Sequence, residues 1–377
     1  MRPEIVVDLA AIRHNVRTLV GLVAPASVMT VVKADGYGHG MVEAARAARG
    51  GGAEWIGVAT VPEALRLRDA GDDGRILCWL TLPEDVEDGS LARAVESDVD
   101  VTAYTVERLD QIVASGANPR VQLKVDTGLS RGGAALADWP ALAQRAAEHQ
   151  QAARARITGI WSHFSCSDEP DHPANDLQHE RYRAALRTAE EAGLRPDVRH
   201  LANSAAAILR PQSRYDVVRV GLASYGLDPA PGHTPDLGLR PAMTVRAPLA
   251  LSKRIDRGEG VSYGRTWIAD DATTVGLVPV GYGDGVPRHG SNAIEVAIDG
   301  VRRPVRGRVC MDQVVVDLGG ELAPAGTPVT LFGPGAHGEP TAQDWAQACG
   351  TISYEIVTRF GASSARLVRR YVDGDRD

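Results

Sequence analysis

VMTVVKADGYGHGMVEAARAAR, residues 28–49, reads as three pieces in succession. Residues 28–33 are a β-branched, apolar run with the composition of a buried strand. Residues 34–40 hold three glycines in seven positions, the punctuation of a loop, and 41–49 is an Ala/Glu/Arg-rich stretch with helical spacing. Strand, loop and helix make one β–α unit, and the first 225 residues repeat it. Further strand-like runs fall at 55–60, 76–80, 100–104, 121–126, 157–163, 198–203 and 217–222. Helical stretches at 62–70, 106–115, 140–150 and 176–192 lie between most of them. Thr60 before Val61-Pro62-Glu63, and Thr105 before Glu107, are helix-start signals. Eight strands alternating with helices predict an α/β protein, a (β/α)8 TIM-like barrel over residues 9–235. A doubly wound open sheet satisfies the same count, because strand order is not written in a sequence.

After about residue 235 the helical spacing gives way to short runs (243–251, 274–280, 293–298, 313–318, 328–332) separated by Gly, Pro and Asp. This predicts a C-terminal, mainly antiparallel β-domain over 236–377, with the Pro-rich stretch 229–241 as linker. The strand-like run at 4–8 fits either domain, so residues 1–8 are assigned to the second only as an option.

Composition narrows the function. Against 41 Lys and Arg stand 48 Asp and Glu, net −7, with no basic stripe, which disfavours nucleic acid and anionic membrane as partners. The four cysteines, Cys78, Cys166, Cys310 and Cys349, form no CxxC and have no histidine at metal spacing. They read as free thiols in a reducing compartment, with no metal site expected. The apolar core at 19–24 is too short for a signal peptide, and no run reaches the length of a membrane span, so a cytoplasmic location is expected. Only three of the 41 basic residues are lysines: Lys33, Lys124 and Lys253. Any lysine chemistry has three places to live.

In such barrels the active site forms where strands end at the C-terminal edge. Lys33 ends the first strand, Lys124 lies near the end of the fifth with Arg131 in the loop beyond, and His163 ends the sixth. Asn203-Ser204 ends the seventh, and Arg219 falls on the eighth. Singly, each has an ordinary reading as a rim charge or a satisfied structural side chain; their convergence carries the weight. No GxGxxG or GK[ST] loop is present, but the turns at Ser204 and at Gly221-Leu222-Ala223 can offer free N–H groups to a phosphate. A reactive amine beside a phosphate cradle suggests pyridoxal phosphate.

The motifs VVKADGYGHG (31–40), LKVDTGLSR (123–131), HLANSAA (200–206), VRVGL (218–222), VSYGRTW (261–267), GYGDG (281–285), GRVCMDQ (307–313) and ISYEI (352–356) span nearly the whole chain. In content and order they resemble the alanine racemase family. Gly36, Gly283 and the neighbours of Arg131 depart from the usual pattern, but no catalytic position is missing. The resemblance implies a homodimeric isomerase using pyridoxal 5'-phosphate to interconvert L- and D-alanine, supplying D-alanine for peptidoglycan. Lys33 would carry the cofactor and serve one face of the substrate, and Tyr263, from the partner subunit's β-domain, the other. Arg219 would face the pyridine nitrogen, with His163 linking it to Tyr263. Tyr37, Ser204, Gly221, Leu222 and Tyr354 match cofactor contacts. Arg131 and, contributed like Tyr263 from the partner subunit's β-domain, the Met311 N–H match contacts to the substrate carboxylate, and Tyr282 matches an entrance residue. Lys124 matches a lysine that many relatives carry as a carbamate, which would resolve its repulsion with Arg131; an ordinary lysine is the competing reading. A racemase of serine or broader specificity, and a non-catalytic cofactor-binding relative, are the alternative functions.

Overall fold

Apolar strands alternating with capped helices close a barrel in this computed structural model, which describes residues 2–362 and 366–374. Of the expected second domain, residues 1, 363–365 and 375–377 lie outside the described residues. The first strand, β1 (Glu4–Asp8), precedes the eight barrel strands. These are β2 (Ser27–Val31), β3 (Trp55–Thr60), β4 (Arg75–Leu80), β5 (Asp100–Ala103), β6 (Arg120–Lys124), β7 (Arg156–Trp161), β8 (Val198–His200) and β9 (Val217–Val220). All their pairings are parallel, in the order β8-β7-β6-β5-β4-β3-β2-β9. At the seam, the Arg219 N–H donates to Ala202 O at 2.9 Å and the Asp216 N–H to Arg199 O at 3.0 Å. The order never reverses, as an open doubly wound sheet would require, and the sheet closes on itself.

Local signals set the helices. Thr60 and Glu63 form a reciprocal capping box, and the Thr105 hydroxyl accepts from the Arg108 N–H. Strand alternation then sorts side chains. Val121 and Leu123 join the core under the helices, whereas Gln122 and Lys124 share the opposite face and point into the barrel. The interior is a mixed layer: Met29, Trp55, Leu77, Trp161 and Val217 pack together, and polar side chains fill the rest.

The second sheet uses β10 (Met243–Pro248), β11 (Leu251–Ile255), β14 (Thr273–Val278), β15 (Glu295–Ile298), β16 (Val301–Arg306), β17 (Val314–Gly319), β18 (Pro328–Phe332) and β19 (Val368–Val372). Its order is β11-β14-β17-β16-β15-β18-β10-β1-β19, antiparallel except where β1 meets β19. A separate ribbon pairs β12 (Gly260–Val261) with β13 (Trp267–Ile268). Thus β1 belongs to this sheet, not the barrel. The expected single run 243–251 is two strands, and β12, β13, β16 and β19 lie outside every expected run.

Helical spacing does not vanish after residue 235. Helices Ala342–Cys349 and Ser353–Ala362 form, the first opened by a Thr341/Asp344 capping box. Trp345, Ile356, Val357 and Phe360 bury their faces. The second helix lies hard against the loop after β2. A Cβ on Gly361 would stand 2.0 Å from the Gly38 Cα, so only glycine permits this approach. No helix among the described residues is long and apolar enough to cross a membrane.

Candidate active site

The loop after β2 is a left-handed turn. Ala34, Asp35, Gly36 and Tyr37 have φ of 53, 52, 65 and 53°, a conformation costing roughly 1–3 kcal/mol at each non-glycine position. Its neighbours hold it there. The Glu63 carboxylate accepts from the Ala34 N–H at 2.8 Å, Asp35 pairs with Arg369 at 2.8 Å, and the His39 ring lies 3.0 Å from both the Gly36 and Tyr37 carbonyls. The turn leaves Lys33 and Tyr37 facing one cavity.

That cavity, of ≈ 700 Å³, opens at the C-terminal ends of the barrel strands. Ten of the expected residues line it: Lys33, Tyr37, Lys124, Arg131, His163, Ser204, Arg219, Gly221, Leu222 and Tyr354. Tyr263, Tyr282 and Met311 do not. They are 72, 37 and 55% exposed and cluster on the second domain. There the Tyr282 N–H donates to Cys310 O at 2.9 Å and the Gly283 N–H to Met311 O at 2.8 Å. Ser262, beside Tyr263, donates to Arg308 O at 2.6 Å.

Arg219 is buried on the barrel floor. Its Nη2, with two hydrogens shared among three acceptors, lies 2.6 Å from Ser162 O, 2.9 Å from Leu201 O and 3.1 Å from His163 Nδ1, and its Nη1 donates to His200 Nδ1 (2.8 Å). Burial pulls its pKa down to about 10, so it stays a cation at neutral pH. Burial first, then Arg219, Arg131 and the two lysines, pushes His163 well below the ordinary histidine value; it is neutral. The expected His163–Arg219 contact forms, while Tyr263 of the same chain is elsewhere.

Both lysines sit among cations. Burial and the Arg131 charge lower the Lys33 amine below its usual value, with Glu63 opposing. Lys124 Nζ lies 4.6 Å from the Trp161 ring centre; burial, Arg219 and Arg131 bring it down to about 8. At the other end, the Gly221 N–H donates to Ser204 Oγ at 2.9 Å. A Cβ on Gly221 would stand 2.4 Å from Tyr37 Oη, so the bare backbone leaves room for that hydroxyl. Burial raises the Tyr37 and Tyr354 phenols, Tyr354 to about 12, which keeps both as donors.

Sequence reasoning missed His200, Gln122, Asp100 and Trp161. A signal existed: Gln122 precedes Lys124 by two residues on the same strand, so both share one face.

Comparison with known proteins follows the same division of the chain. The family model described as alanine racemase, N-terminal domain matches residues 7–229, and that described as alanine racemase, C-terminal domain matches 242–371. The chain is 49% identical over 384 residues to a curated alanine racemase of Streptomyces coelicolor, covering 99% of this chain and 96% of that one. To a curated alanine racemase of Salinispora arenicola it is 50% identical over 377 residues, covering 99% of each. The crystal structure of alanine racemase from D-cycloserine-producing Streptomyces lavendulae superposes with a TM-score of 0.95 at 47% identity, over 99% of this chain and 98% of that chain.

Proposed function

Because the chain belongs to the alanine racemase family and interconverts L- and D-alanine, we propose that Lys33 and Tyr263 are its two acid–base groups, brought together from different copies of the chain. The family uses pyridoxal phosphate, and the cavity residues fit that group. The Tyr37 and Ser204 hydroxyls flank the backbone at Gly221 and Tyr354 lines the same cavity, a set suited to a phosphate dianion. Lys33 presents an amine and Arg219 a donor to the same space. When bound, pyridoxal phosphate supplies an aldehyde for an amine and a conjugated ring that acidifies the substrate Cα–H bond.

The chain's own residues do the rest. Lys33, with its lowered pKa, accepts or returns the Cα proton at Nζ on one face. Tyr263 Oη of the partner subunit does so on the opposite face, because inversion needs a group on each side. Arg219, a cation that keeps its proton, would hold the cofactor's ring nitrogen as a hydrogen-bond donor, which would limit charge withdrawal and favour return of the proton to Cα. Arg131 and the Met311 N–H of the partner subunit bind the substrate carboxylate, and Tyr282 borders the entrance. Lys124 is a carbamate, formed by addition of CO2 to its neutral amine with loss of one proton, and the new anion offsets Arg131. A homodimer in the cytoplasm supplying D-alanine to peptidoglycan synthesis completes the reading.

One observation carries it: ten site residues share the cavity while Tyr263, Tyr282 and Met311 stand exposed away from it. Purified protein should form D-alanine from L-alanine. Lys33→Ala and Tyr263→Phe homodimers should both be nearly inactive, and mixing them should restore about a quarter of wild-type activity, since half the dimers are hybrids with one intact site of two. Hybrids recovered by tagged co-purification but without activity overturn the shared site.

A further inference from the structure

Within the barrel, a single file of buried polar groups runs from the N-terminal rim to Arg219. Asp100 is fully buried and ion-paired with Arg75 at 2.9 Å and Arg120 at 3.0 Å. It also accepts from the Thr158 hydroxyl at 2.5 Å and from Gln122 Nε2 at 3.4 Å, the longest link of the file. Gln122 Oε1 lies 2.7 Å from His200 Nε2, and His200 Nδ1 lies 2.8 Å from Arg219 Nη1. His200 is itself fully buried, stacked on Trp161 with ring centres 5.6 Å apart and planes 9° from parallel.

We propose that Gln122, anchored by the Asp100 carboxylate, is a positioning residue that holds His200 as its Nε2–H tautomer and so keeps Nδ1 an acceptor for Arg219. The orientation follows from what each group can do. Asp100, between two guanidinium groups, is ionised and only accepts. Gln122 must therefore turn its NH2 toward Asp100 and its carbonyl oxygen toward His200. A carbonyl oxygen only accepts, so the proton sits on His200 Nε2. Burial and the Arg219 charge hold His200 well below the ordinary histidine pKa, so the ring is neutral and Nδ1 keeps its lone pair. Arg219 only donates, and it donates there.

Every bond in the file thus points toward Asp100. Reversing any one would set two donors or two acceptors face to face among buried residues, an expensive arrangement. With one edge pinned by His200 and the other by three acceptors, the Arg219 guanidinium cannot swing. Arg219 also lines the cavity and keeps N–H groups free of the bonds above, and what they serve there rests on the cofactor reading above.

Neutron diffraction from crystals of the perdeuterated, cofactor-loaded protein tests the tautomer directly. Deuterium is expected on His200 Nε2 and not on Nδ1; deuterium on Nδ1 overturns the inference. The map is read the same way whether or not Arg219 touches the cofactor, so failure of the functional reading is seen separately. Gln122→Met, which keeps side-chain length but removes both hydrogen bonds, leaves the Nε2 hydrogen without an acceptor while Arg219 still donates to Nδ1, and should let the His200 ring turn out of line with Arg219. Its kcat should fall about tenfold with the KM for alanine within about twofold, the cost of a lost positioning hydrogen bond. Gln122→Glu, neutral beside Asp100, repeats the donor and acceptor of the amide and should restore both. An unchanged His200 ring position and kcat in folded Gln122→Met refutes the role; if that variant fails to fold, the wild-type map decides.

Discussion

Carbamylation of Lys124 should follow the ionisation of an unusually acidic amine. Only the neutral form adds CO2. With the Lys124 pKa lowered to about 8 by burial and by the charges of Arg219 and Arg131, about a tenth of the amine is neutral at pH 7, half at pH 8 and nine-tenths at pH 9. An ordinary lysine at 10.5 is neutral in about one part in 3,000 at pH 7, so Lys124 should react roughly 300-fold faster per site. The sign is clear: a lowered pKa moves the reactive window down, and the rate climbs with pH through about 8, levelling above 9. The assay is to strip CO2 by prolonged acidic dialysis, then add 13C-labelled bicarbonate at several pH values with dissolved CO2 held constant. Initial incorporation is followed by 13C NMR, and racemisation in parallel. Activity should return in step with label, and Lys124→Met should incorporate none at that site. A rate still rising steeply between pH 9 and 10, or full activity without label, refutes the reasoning.

Borohydride reduction of the cofactor-loaded protein, followed by peptide mapping, should place the pyridoxyl label on Lys33; label on Lys124 or Lys253 would sink that assignment. Arg219→Glu should raise the ratio of transamination to racemisation by roughly tenfold, because a carboxylate beside the ring nitrogen favours its protonated form. An unchanged ratio in a loaded variant would mean that Arg219 does not face that nitrogen. Gly361→Ala should destabilise by about 1–3 kcal/mol or more, measured by urea unfolding, since its methyl would meet the Gly38 backbone. It should also weaken cofactor retention by shifting Tyr354; a wild-type melt would show that the helix moves freely away.

Much of this could be read from residues alone, for identifiable reasons. The run at 28–33 became β2 because β-branched residues in an apolar stretch suit a strand covered on both faces. Lys33, Lys124 and Arg219 were found because barrel chemistry gathers at strand ends. Asp100, Gln122 and His200 escaped notice because a polar residue inside a strand means little until closure brings it against another from across the barrel. Helix Ala342–Cys349 was overlooked although Thr341 and Asp344 stood at capping-box spacing; eight residues give too short a period to stand out among strands. Which copy of the chain Tyr263 serves is a property of two surfaces meeting, and nothing in the order of residues encodes it.

The pairing of β1 with β19 imposes an order on assembly. Glu4 lies opposite Val368 and Asp8 opposite Val372 on one side, and Glu4 opposite Arg246 on the other, so β1 gains its first neighbour only with β10 and its second only with β19. The barrel, whose strands pair mostly with the next in sequence, can close long before that. It does so with β1 dangling, an unpaired edge attached to its first helix. Loss of the last strand would therefore expose the first, and a nascent chain stalled late in synthesis would carry a folded barrel beside an open, adhesive sheet edge. Slow completion of that single parallel contact, made across the longest loop in the molecule, is where aggregation during production should begin.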